Sequence, residues 1–240
     1  MKNKFKKALL NPSKALRYIY IAIKKRIEPP KGVLIFIGMD PNGEFDILYP
    51  GYKACYGFEA NPERYKKLLK KYSHRGNIKL LNCAIANYDG EIEFNISSNN
   101  DGASSSIGTF DEKWQQNTNI EMIKKIKVPC INMLNFLKKN NITHIDNYVS
   151  DIQGMDLEVL KTLRPMIENR QIGSIKCEVT KDAYSNIYRD LPDNSESGFG
   201  ELLNDKYELV AKGRGILIDY KFDKIPEEVW EMDCKWVLKK

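Results

Sequence analysis

Five residues that could take part in ligand chemistry follow predicted β-strands or lie at their ends: Gly38, Glu59, Ala84, Asp151 and Glu178. In a parallel sheet with helices on both faces, ligands bind at the carboxyl ends of the strands. Carboxylates at such positions accept hydrogen bonds from ligand hydroxyl groups and can take up protons. The sequence therefore predicts one binding site at this edge of the sheet, with acidic side chains around it.

Glu59 supports the most specific of these predictions. It ends the second predicted strand, about twenty residues after the turn that begins at Gly38, and a carboxylate at this place can accept hydrogen bonds from both hydroxyls of a ribose. The same geometry serves NAD and S-adenosylmethionine. The alternative interpretation is an acid that stabilises the N-terminus of the helix after Asn61-Pro62.

The turn after the first strand distinguishes between these ligands. It reads Gly38-Met-Asp-Pro-Asn-Gly43, so it lacks the central glycine of the G-x-G-x-x-G turn that approaches a pyrophosphate. The spacing fits a P-loop, but Glu44 and Phe45 stand where that loop needs Lys and Ser or Thr. A sulfonium cofactor has no pyrophosphate, so the turn fits S-adenosylmethionine better than a dinucleotide.

Apolar runs of strand length alternate with helical patterns from residue 33 onward, which predicts an α/β fold with a mostly parallel sheet and helices on both faces. The predicted strands are 33–38, 54–58, 78–85, 91–96, 126–131, 145–151, 172–179, 207–211, 215–219 and 234–238. The predicted helices are 44–49, 62–72 with Asn61 as N-cap, 133–139, 157–167 and 200–204. The polar residues 97–118 are predicted to form a long loop, either functional or disordered.

Positive charge is concentrated at the N-terminus. Residues 1–30 contain nine basic residues and one acid and carry a net charge of +8, whereas the rest of the chain carries −2. A nucleic-acid-binding domain presents its Lys and Arg on the folded surface, so this distribution argues against a nucleic-acid partner. We predict a basic amphipathic helical arm over 1–30 and one domain over 31–240. Residues 1–28 are expected to contact anionic lipid headgroups, or else to pack on the domain or on a second copy.

The sequence predicts a cytoplasmic protein, which its arm could hold at the inner face of the membrane. No window reaches about 18 apolar residues, and the short apolar stretch 18–23 is not followed by a cleavage site. The five cysteines are dispersed in predicted strands, which is typical of buried reduced thiols. The two histidines lie far from any cysteine cluster, so we expect no metal site.

Four segments together resemble the FkbM-type methyltransferases. They are Tyr56-Gly-Phe-Glu59-Ala-Asn-Pro62-Glu63, Asn82-Cys-Ala84-Ile-Ala with Asp89-Gly90, Ser104-Ser-Ser-Ile-Gly108, and Ser150-Asp151-Ile-Gln153-Gly154-Met-Asp156-Leu-Glu158-Val-Leu. The resemblance covers residues 33–180 and implies a Rossmann-like class I methyltransferase fold, with seven strands ordered 3-2-1-4-5-7-6 and the seventh antiparallel. It also implies S-adenosylmethionine-dependent O-methylation of a hydroxyl on a small molecule, such as a sugar or a glycan or glycolipid precursor.

The resemblance implies roles for the residues at the strand ends. The cofactor is expected to contact Gly38, Asp40, Glu59, Ala60, Cys83, Ala84 and Ser105. A neutral alcohol is a weak nucleophile, so methyl transfer gains from a base. Asp151 is expected to be that base or to lie near the sulfonium, Gln153 to orient the acceptor hydroxyl, and Glu178 to bind substrate or act as base. The alternative role of Asp151, and the preferred role of Asp156, is to cap the helix near Leu157.

The first turn departs from the family pattern D-x-G-A-N-x-G. Phe36 replaces the acid ahead of the glycine, Asp40 stands in place of the family's Asn, and Pro41 removes a backbone donor. Ser150 replaces the family's Lys, and Asp156 its Glu. These changes leave open a catalytically degenerate protein of this fold that scaffolds a membrane-associated assembly and, more remotely, a nicotinamide-dependent sugar oxidoreductase.

Overall fold

The computed structural model describes residues 29–41, 43–184, 187–215, 218 and 221–240, together with Ile19. The predicted arm therefore lies almost wholly outside the described residues, and its helix and membrane contact stay predictions. Within the described part of the chain, the strands are β1 (Lys31–Ile37), β2 (Tyr52–Phe58), β3 (Ile78–Leu81), β4 (Ala84–Ala86), β5 (Gly90–Ser97), β6 (Met122–Asn132), β7 (Asn147–Ser150), β8 (Ser174–Thr180), β9 (Tyr207–Gly213) and β10 (Glu231–Leu238). The α-helices there are α1 (Phe45–Leu48), α2 (Pro62–Tyr72), α3 (Glu112–Thr118), α4 (Met133–Lys139), α5 (Asp156–Thr162), α6 (Arg164–Glu168) and α7 (Glu196–Leu203), and a 3-10 helix, Tyr49–Gly51, follows α1.

Seven strands form the central sheet in the order β3-β2-β1-β7-β8-β10-β9. β1 is parallel to β2 and β7, β2 to β3, and β7 to β8, whereas β10 is antiparallel to both β8 and β9. Counted within this sheet, the order is 3-2-1-4-5-7-6 with an antiparallel seventh strand, so the predicted class I methyltransferase fold is confirmed. The connections lead from β1 to β2 and β3 on one side of it and to β7 and β8 on the other side. Such a switch point leaves a crevice at the carboxyl ends of the strands.

Apolar side chains on both faces of β1 explain its uninterrupted hydrophobic sequence. Ile35 and Ile37 belong to the larger core cluster, which includes Leu157 and Leu160 of α5. Leu34 and Phe36 point to the other face, where they join a second cluster with Phe45 of α1 and Leu68 of α2. A strand that is buried on both sides needs no polar alternation, and this is the pattern that predicts a central parallel strand.

The predicted strand 78–85 is wrong as a single element. β3 ends at Leu81 and pairs with β2, whereas β4 belongs to a separate three-stranded sheet of order β4-β6-β5. Between them, the Asn82 side-chain amide donates to the carbonyl oxygens of Glu59 at 2.8 Å and of Ala60 at 3.1 Å. This side chain satisfies the carbonyls beyond β2, so the ladder stops there, and Cys83 lies in the break rather than in a strand.

Three other predicted elements also need correction. The helix predicted over 157–167 divides into α5 and α6, because Pro165 lacks an N–H donor and clashes with a continuing helix. The loop 97–118 ends in a helix, α3, whose N-cap Asp111 accepts the N–H groups of Lys113 and Trp114. In the predicted strand 215–219, the two described residues, Gly215 and 218, are not in a strand.

The structure also bears on the cysteines, on membrane-spanning helices and on metal sites. All five cysteines are free and buried, as predicted. Among the described residues, no helix has the length and apolar character needed to cross a membrane. No cluster of His, Cys, Asp and Glu with the geometry of a metal site occurs in the same part of the chain.

Candidate active site

A cavity of about 230 Å³ opens at the carboxyl ends of β1, β2 and β7. Its walls include every residue that the sequence predicts to contact a cofactor: Gly38, Asp40, Glu59, Ala60, Cys83, Ala84 and Ser105. These residues come from four separate segments of the chain, and the fold brings them to one place. We call this space the cofactor pocket; the contacts of the individual residues with a cofactor stay predictions.

Gly38 joins the floor of the pocket to the neighbouring strand. Its φ of +77° lies in the left-handed region, and a Cβ atom there would stand 1.8 Å from the carbonyl oxygen of Asp151. Its N–H donates to the carbonyl of Phe58 at 3.0 Å. Only glycine permits this close approach, which brings the end of β1 against the residue that follows β7.

Glu59 faces the pocket with its carboxylate partly hydrogen-bonded. The residue is 6% exposed, its Oε1 accepts the N–H of Asn61 at 2.8 Å, and its Oε2 lies 3.5 Å from Nε of Arg64. Burial raises the pKa of Glu59 to about 7, against the opposing effect of the Arg64 charge. A carboxylate has about four acceptor positions, so capacity remains for hydroxyl donors in the pocket.

The polar loop between β5 and α3 closes one side of the pocket. Ser105 donates to the carbonyl of Gly102 at 2.7 Å and accepts the N–H of Ser97 at 3.0 Å. The buried hydroxyl of Ser106 donates to the carbonyl of Gln153 at 2.7 Å. These bonds order the loop and attach it to the turn after β7, so that Ser105 is a wall of the pocket.

A second and larger cleft, of about 860 Å³, adjoins the first at the ends of β7, β8 and β10. It is lined in part by Trp114, Trp230, Glu178 and Glu231. Among the described lining residues, Asp151 and Gln153 are the two that face both spaces. We call the larger space the acceptor cleft, because a molecule bound there would meet the cofactor pocket at these two side chains.

Gln153 connects the two carboxylates that the sequence predicts to take part in catalysis. Its Nε2 donates to Oδ1 of Asp151 at 2.7 Å and also to Oε2 of Glu178. Its Oε1 accepts the hydroxyl of Tyr188 at 2.9 Å. Because the Tyr188 hydroxyl donates to Oε1, it fixes which end of the amide faces the carboxylates.

Tyr188 was missed by the sequence analysis. It lies in the polar stretch between β8 and α7, is 3% exposed and packs on Phe110 with ring centroids 5.6 Å apart. Gly154 makes this position possible, since a Cβ atom there would stand 2.5 Å from Cδ2 of Tyr188. The hydrophobic pattern gave no signal for Tyr188. In the structure, Gln153 and Gly154 have positive φ angles of 59° and 97°, and the Gln153 amide reaches the Tyr188 hydroxyl.

Three carboxyl groups of the acceptor cleft, those of Asp151, Glu178 and Glu231, hold their protons more strongly than usual. Burial raises the pKa of Asp151, and the nearby charge of Asp233 adds to the effect. Burial followed by the charge of Asp151 raises the pKa of Glu178 well above its usual range. The same two causes raise the pKa of Glu231 to about 8, and its Oε1 has no hydrogen-bond partner among the described residues. Carboxylates of raised pKa at a ligand site suit proton transfer near neutral pH.

Asp156 does not cap α5 in the predicted way. The N-cap of α5 is Met155, which makes no side-chain capping bond, and the N–H of Leu157 donates to Oδ1 of Asn194 at 3.0 Å. Asp156 is fully buried, accepts the hydroxyl of Ser150, and lies 3.3 Å from the donating N–H of Ile152. It therefore braces the turn that carries Asp151 and Gln153. The alternative capping role of Asp151 is also absent, since its carboxylate accepts the Gln153 amide instead.

The contact between Tyr188 and Gln153 leads to a testable prediction. Tyr188→Phe keeps the ring packing but frees the Gln153 amide to rotate, so we expect kcat to fall about three- to tenfold, consistent with the loss of one hydrogen bond of about 1 kcal/mol. Affinity for S-adenosylhomocysteine should stay within about twofold, which titration calorimetry can measure. Tyr207→Phe is the matched control, because its buried hydroxyl donates to Ile172 at the opposite end of the sheet. Equal losses in the two variants would contradict a specific role for Tyr188.

Comparison with known proteins gives one match by sequence and several by structure. The sequence model of the methyltransferase FkbM domain matches residues 41–204, while the search of curated proteins gave no match. Among solved structures, the N-methyltransferase NodS from Bradyrhizobium japonicum WM9 is similar at 9% identity with a TM-score of 0.44, covering 96% of this chain and 98% of that one. An rRNA methylase from Streptococcus thermophilus is similar at 7% identity with a TM-score of 0.47, covering 94% and 95%.

The methyltransferase FkbM from Methylobacillus flagellatus KT is also similar, at 10% identity with a TM-score of 0.44; the match covers 85% of this chain and 42% of that one. The family assignment rests on the matched domain, which spans well over half of the chain and includes all of the pocket-lining residues from Phe58 to Gln153. The sheet order agrees with it. The chain thus belongs to the FkbM methyltransferase family and is an S-adenosylmethionine-dependent methyltransferase.

Proposed function

We propose that this methyltransferase is an O-methyltransferase whose acceptor is a hydroxyl of a sugar, or of a glycan or glycolipid precursor. One observation carries the proposal: Asp151 and Gln153 line both the cofactor pocket and the acceptor cleft. A carboxylate and an amide at the boundary between two binding spaces suit a reaction that moves a group from one bound molecule to another. The carboxylate can accept a proton and the amide can donate a hydrogen bond.

The pocket residues fit S-adenosylmethionine. Glu59 supplies acceptors for two ribose hydroxyls, and its neighbours Cys83 and Ala84 offer an apolar strip beside it for the adenine. Gly38 and Asp40 of the first turn also line the pocket, and there backbone groups and a carboxylate can hold the methionine part. When bound, the cofactor supplies an electrophilic methyl group on a positively charged sulfur.

Asp151 is proposed to act as the general base. As the acceptor oxygen forms its bond to the methyl carbon and the carbon–sulfur bond breaks, the hydroxyl proton passes to the Asp151 carboxylate. Gln153 holds that carboxylate in place through Nε2, and Tyr188 holds Gln153. The cofactor pocket and the acceptor cleft contribute to the rate mainly by aligning the methyl donor with the acceptor hydroxyl. A displacement at carbon requires the two to be in line and about 3 Å apart.

The walls of the acceptor cleft favour a hydroxylated acceptor. Trp230 stacks on Tyr184 at 4.5 Å with an angle of 12° between the rings, so it offers the cleft a supported flat surface. The ionisable residues that line the cleft are Asp151, Glu178, Glu228, Glu231, Asp233 and Arg214. Arg214 is the one cation among the described lining residues, so the cleft offers little positive charge to hold a phosphate backbone. Carboxyl groups, whether protonated or ionised, exchange hydrogen bonds with sugar hydroxyls. This lining supports a sugar rather than a nucleic acid as the acceptor.

The proposal is tested by methyl transfer from radiolabelled S-adenosylmethionine to two matched sets of acceptors. One set contains neutral mono- and oligosaccharides, and the other contains short RNA and phosphorylated sugars. We expect labelled product in the first set, with a methyl ether that survives mild base. Transfer to RNA, or formation of a base-labile ester or an N-methyl product, would contradict the proposed acceptor. Calorimetry with S-adenosylhomocysteine on the same preparation separates this outcome from failure of the cofactor pocket, because it needs no acceptor.

A further inference from the structure

Arg64 lies buried against the wall of the cofactor pocket, although its helix is otherwise rich in exposed lysines. The residue is 8% exposed. Its NH2 donates to the carbonyl of Met39 at 3.3 Å and its NH1 to the carbonyl of Asn100 at 3.4 Å. Its Nε lies 3.5 Å from the carboxylate of Glu59, and its NH2 lies 3.8 Å from that of Asp40. One guanidinium thus touches three segments that line the pocket: the first turn, the end of β2 and the polar loop.

We propose that Arg64 is a positioning residue for cofactor binding, which joins the first turn, Glu59 and the polar loop into one arrangement and aims the Glu59 carboxylate at the ribose. The inference rests on the proposed contact between Glu59 and the cofactor. Arg64 does not touch the reacting atoms; it acts through Glu59, Asp40 and the loop.

The local sequence places Arg64 for this role. Asn61 caps α2 by accepting the N–H of Glu63 at 3.0 Å, and Pro62 begins the helix. The first turn of α2 is therefore fixed directly after Glu59, which turns the third helical residue toward the pocket rather than toward solvent. The Asn61 amide also donates to the carbonyl of Asp101 at 3.3 Å, so the cap and Arg64 hold the polar loop together.

Two carboxylates and two backbone carbonyls that surround Arg64 explain why an arginine stands here. Asp40 and Glu59 both line the cofactor pocket, and both lie within 4 Å of the Arg64 guanidinium. The planar fork of the guanidinium reaches both carboxylates and two carbonyls, which a lysine ammonium cannot do.

The charge of Arg64 also affects the protonation of Glu59. The charged groups that face Glu59 are Arg64 from α2, which lowers its pKa, and Asp151 from the turn after β7, which raises it. With Arg64 present, the pKa of Glu59 is about 7. Since the ionised form is the better acceptor for ribose hydroxyls, affinity for the cofactor product should rise with pH up to about 8 and then level off. Without the Arg64 cation, the pKa of Glu59 rises further, so the pH at which affinity for the cofactor product levels off becomes higher.

The test is titration calorimetry of S-adenosylhomocysteine with the full chain at pH values from 6 to 9. We expect Arg64→Met to weaken binding about tenfold at pH 7.5 and to shift the levelling of affinity above pH 8. Arg64→Lys should keep the pH profile of the wild type, because it keeps the charge, but weaken binding about threefold, because it loses the fork. Lys70→Met, an exposed cation on the same helix, should bind like the wild type.

Wild-type affinity and pH profile in Arg64→Met would overturn the inference. If Arg64→Met does not fold, as judged by its thermal melting, Arg64→Lys decides: affinity equal to the wild type would overturn it, and a loss with an unchanged pH profile would support it. Absence of binding by the wild type itself would reject the cofactor contact of Glu59, and with it the proposed site. The failure of the site and the failure of the inference are therefore distinguishable.

Discussion

Asp151→Asn is expected to lower kcat by about 10²- to 10⁴-fold, the usual contribution of a general base. Asn keeps an acceptor oxygen for Nε2 of Gln153, now 2.7 Å from Oδ1 of Asp151, so the turn after β7 should keep its shape. What the substitution removes is the capacity to take the proton of the acceptor hydroxyl. A loss of this size in an unchanged fold would identify chemistry rather than binding as the affected step.

The measurements that check this prediction are single-turnover rates and calorimetry with S-adenosylhomocysteine. The demethylated product carries no charge on sulfur, so its affinity should change by less than about threefold although Asp151 lines the cofactor pocket. In the wild type, the rate should rise with pH through the raised pKa of Asp151, because only the ionised carboxylate acts as base. That rise should be absent in Asp151→Asn. Glu201→Gln, which removes an exposed carboxylate from α7, controls for the change in net charge.

Glu178→Gln decides between the two carboxylates that Gln153 bridges. If Asp151 is the base, Glu178→Gln should lower kcat by no more than about tenfold and should mainly raise the KM of the acceptor. The reason is that Glu178 lines the acceptor cleft and not the cofactor pocket. The reverse order of effects would transfer the role of base to Glu178. Both carboxyl groups have raised pKa values, so the pH profile by itself does not separate them.

Topology made it possible to predict from the sequence which residues lie at one edge of the sheet. Parallel strands bring their carboxyl ends to one edge, so Glu59, Asp151 and Glu178 were expected there once the strands were recognised. The same reasoning placed Gly38 and Ala84, and the structure finds both on the wall of the cofactor pocket. Continuous apolar runs such as β1 identified the strands, since a strand covered on both faces has no other pattern available.

The contacts that hold the site together could not be predicted from the same patterns. Arg64 stands in a helix rich in charged residues, where an exposed position is the ordinary expectation. Its burial follows from the polar loop that packs on it. Tyr188 reaches Gln153 across 35 positions of the chain. The break at Asn82 depends on one side-chain amide that satisfies two backbone carbonyls. Each of these is a tertiary contact of a polar side chain, and the spacing of apolar residues carries no information about such contacts.

Glu59→Ala is expected to weaken the binding of S-adenosylhomocysteine about 10- to 100-fold, because hydrogen bonds to a charged group contribute about 1.5–3 kcal/mol. The substitution also leaves the Arg64 guanidinium without its nearest carboxylate, 3.5 Å away. Since Glu59 accepts the N–H of Asn61 as well, some loss of stability should accompany the loss of affinity. Glu59→Gln, which keeps the shape and an acceptor oxygen, separates the effects: stability should recover while affinity stays reduced.

Calorimetry at two pH values makes the Glu59 prediction specific. Between pH 8 and pH 6 the wild type should lose up to about tenfold in affinity, because protonation through a pKa of about 7 removes the charged acceptor. Glu59→Gln cannot be protonated in this range and should bind equally at both pH values. Glu63→Ala, an exposed acid four positions along the chain, should keep both the affinity and the pH dependence of the wild type. A pH dependence that survives in Glu59→Gln would assign the titrating group to Asp151, the other carboxyl group of raised pKa that lines the pocket.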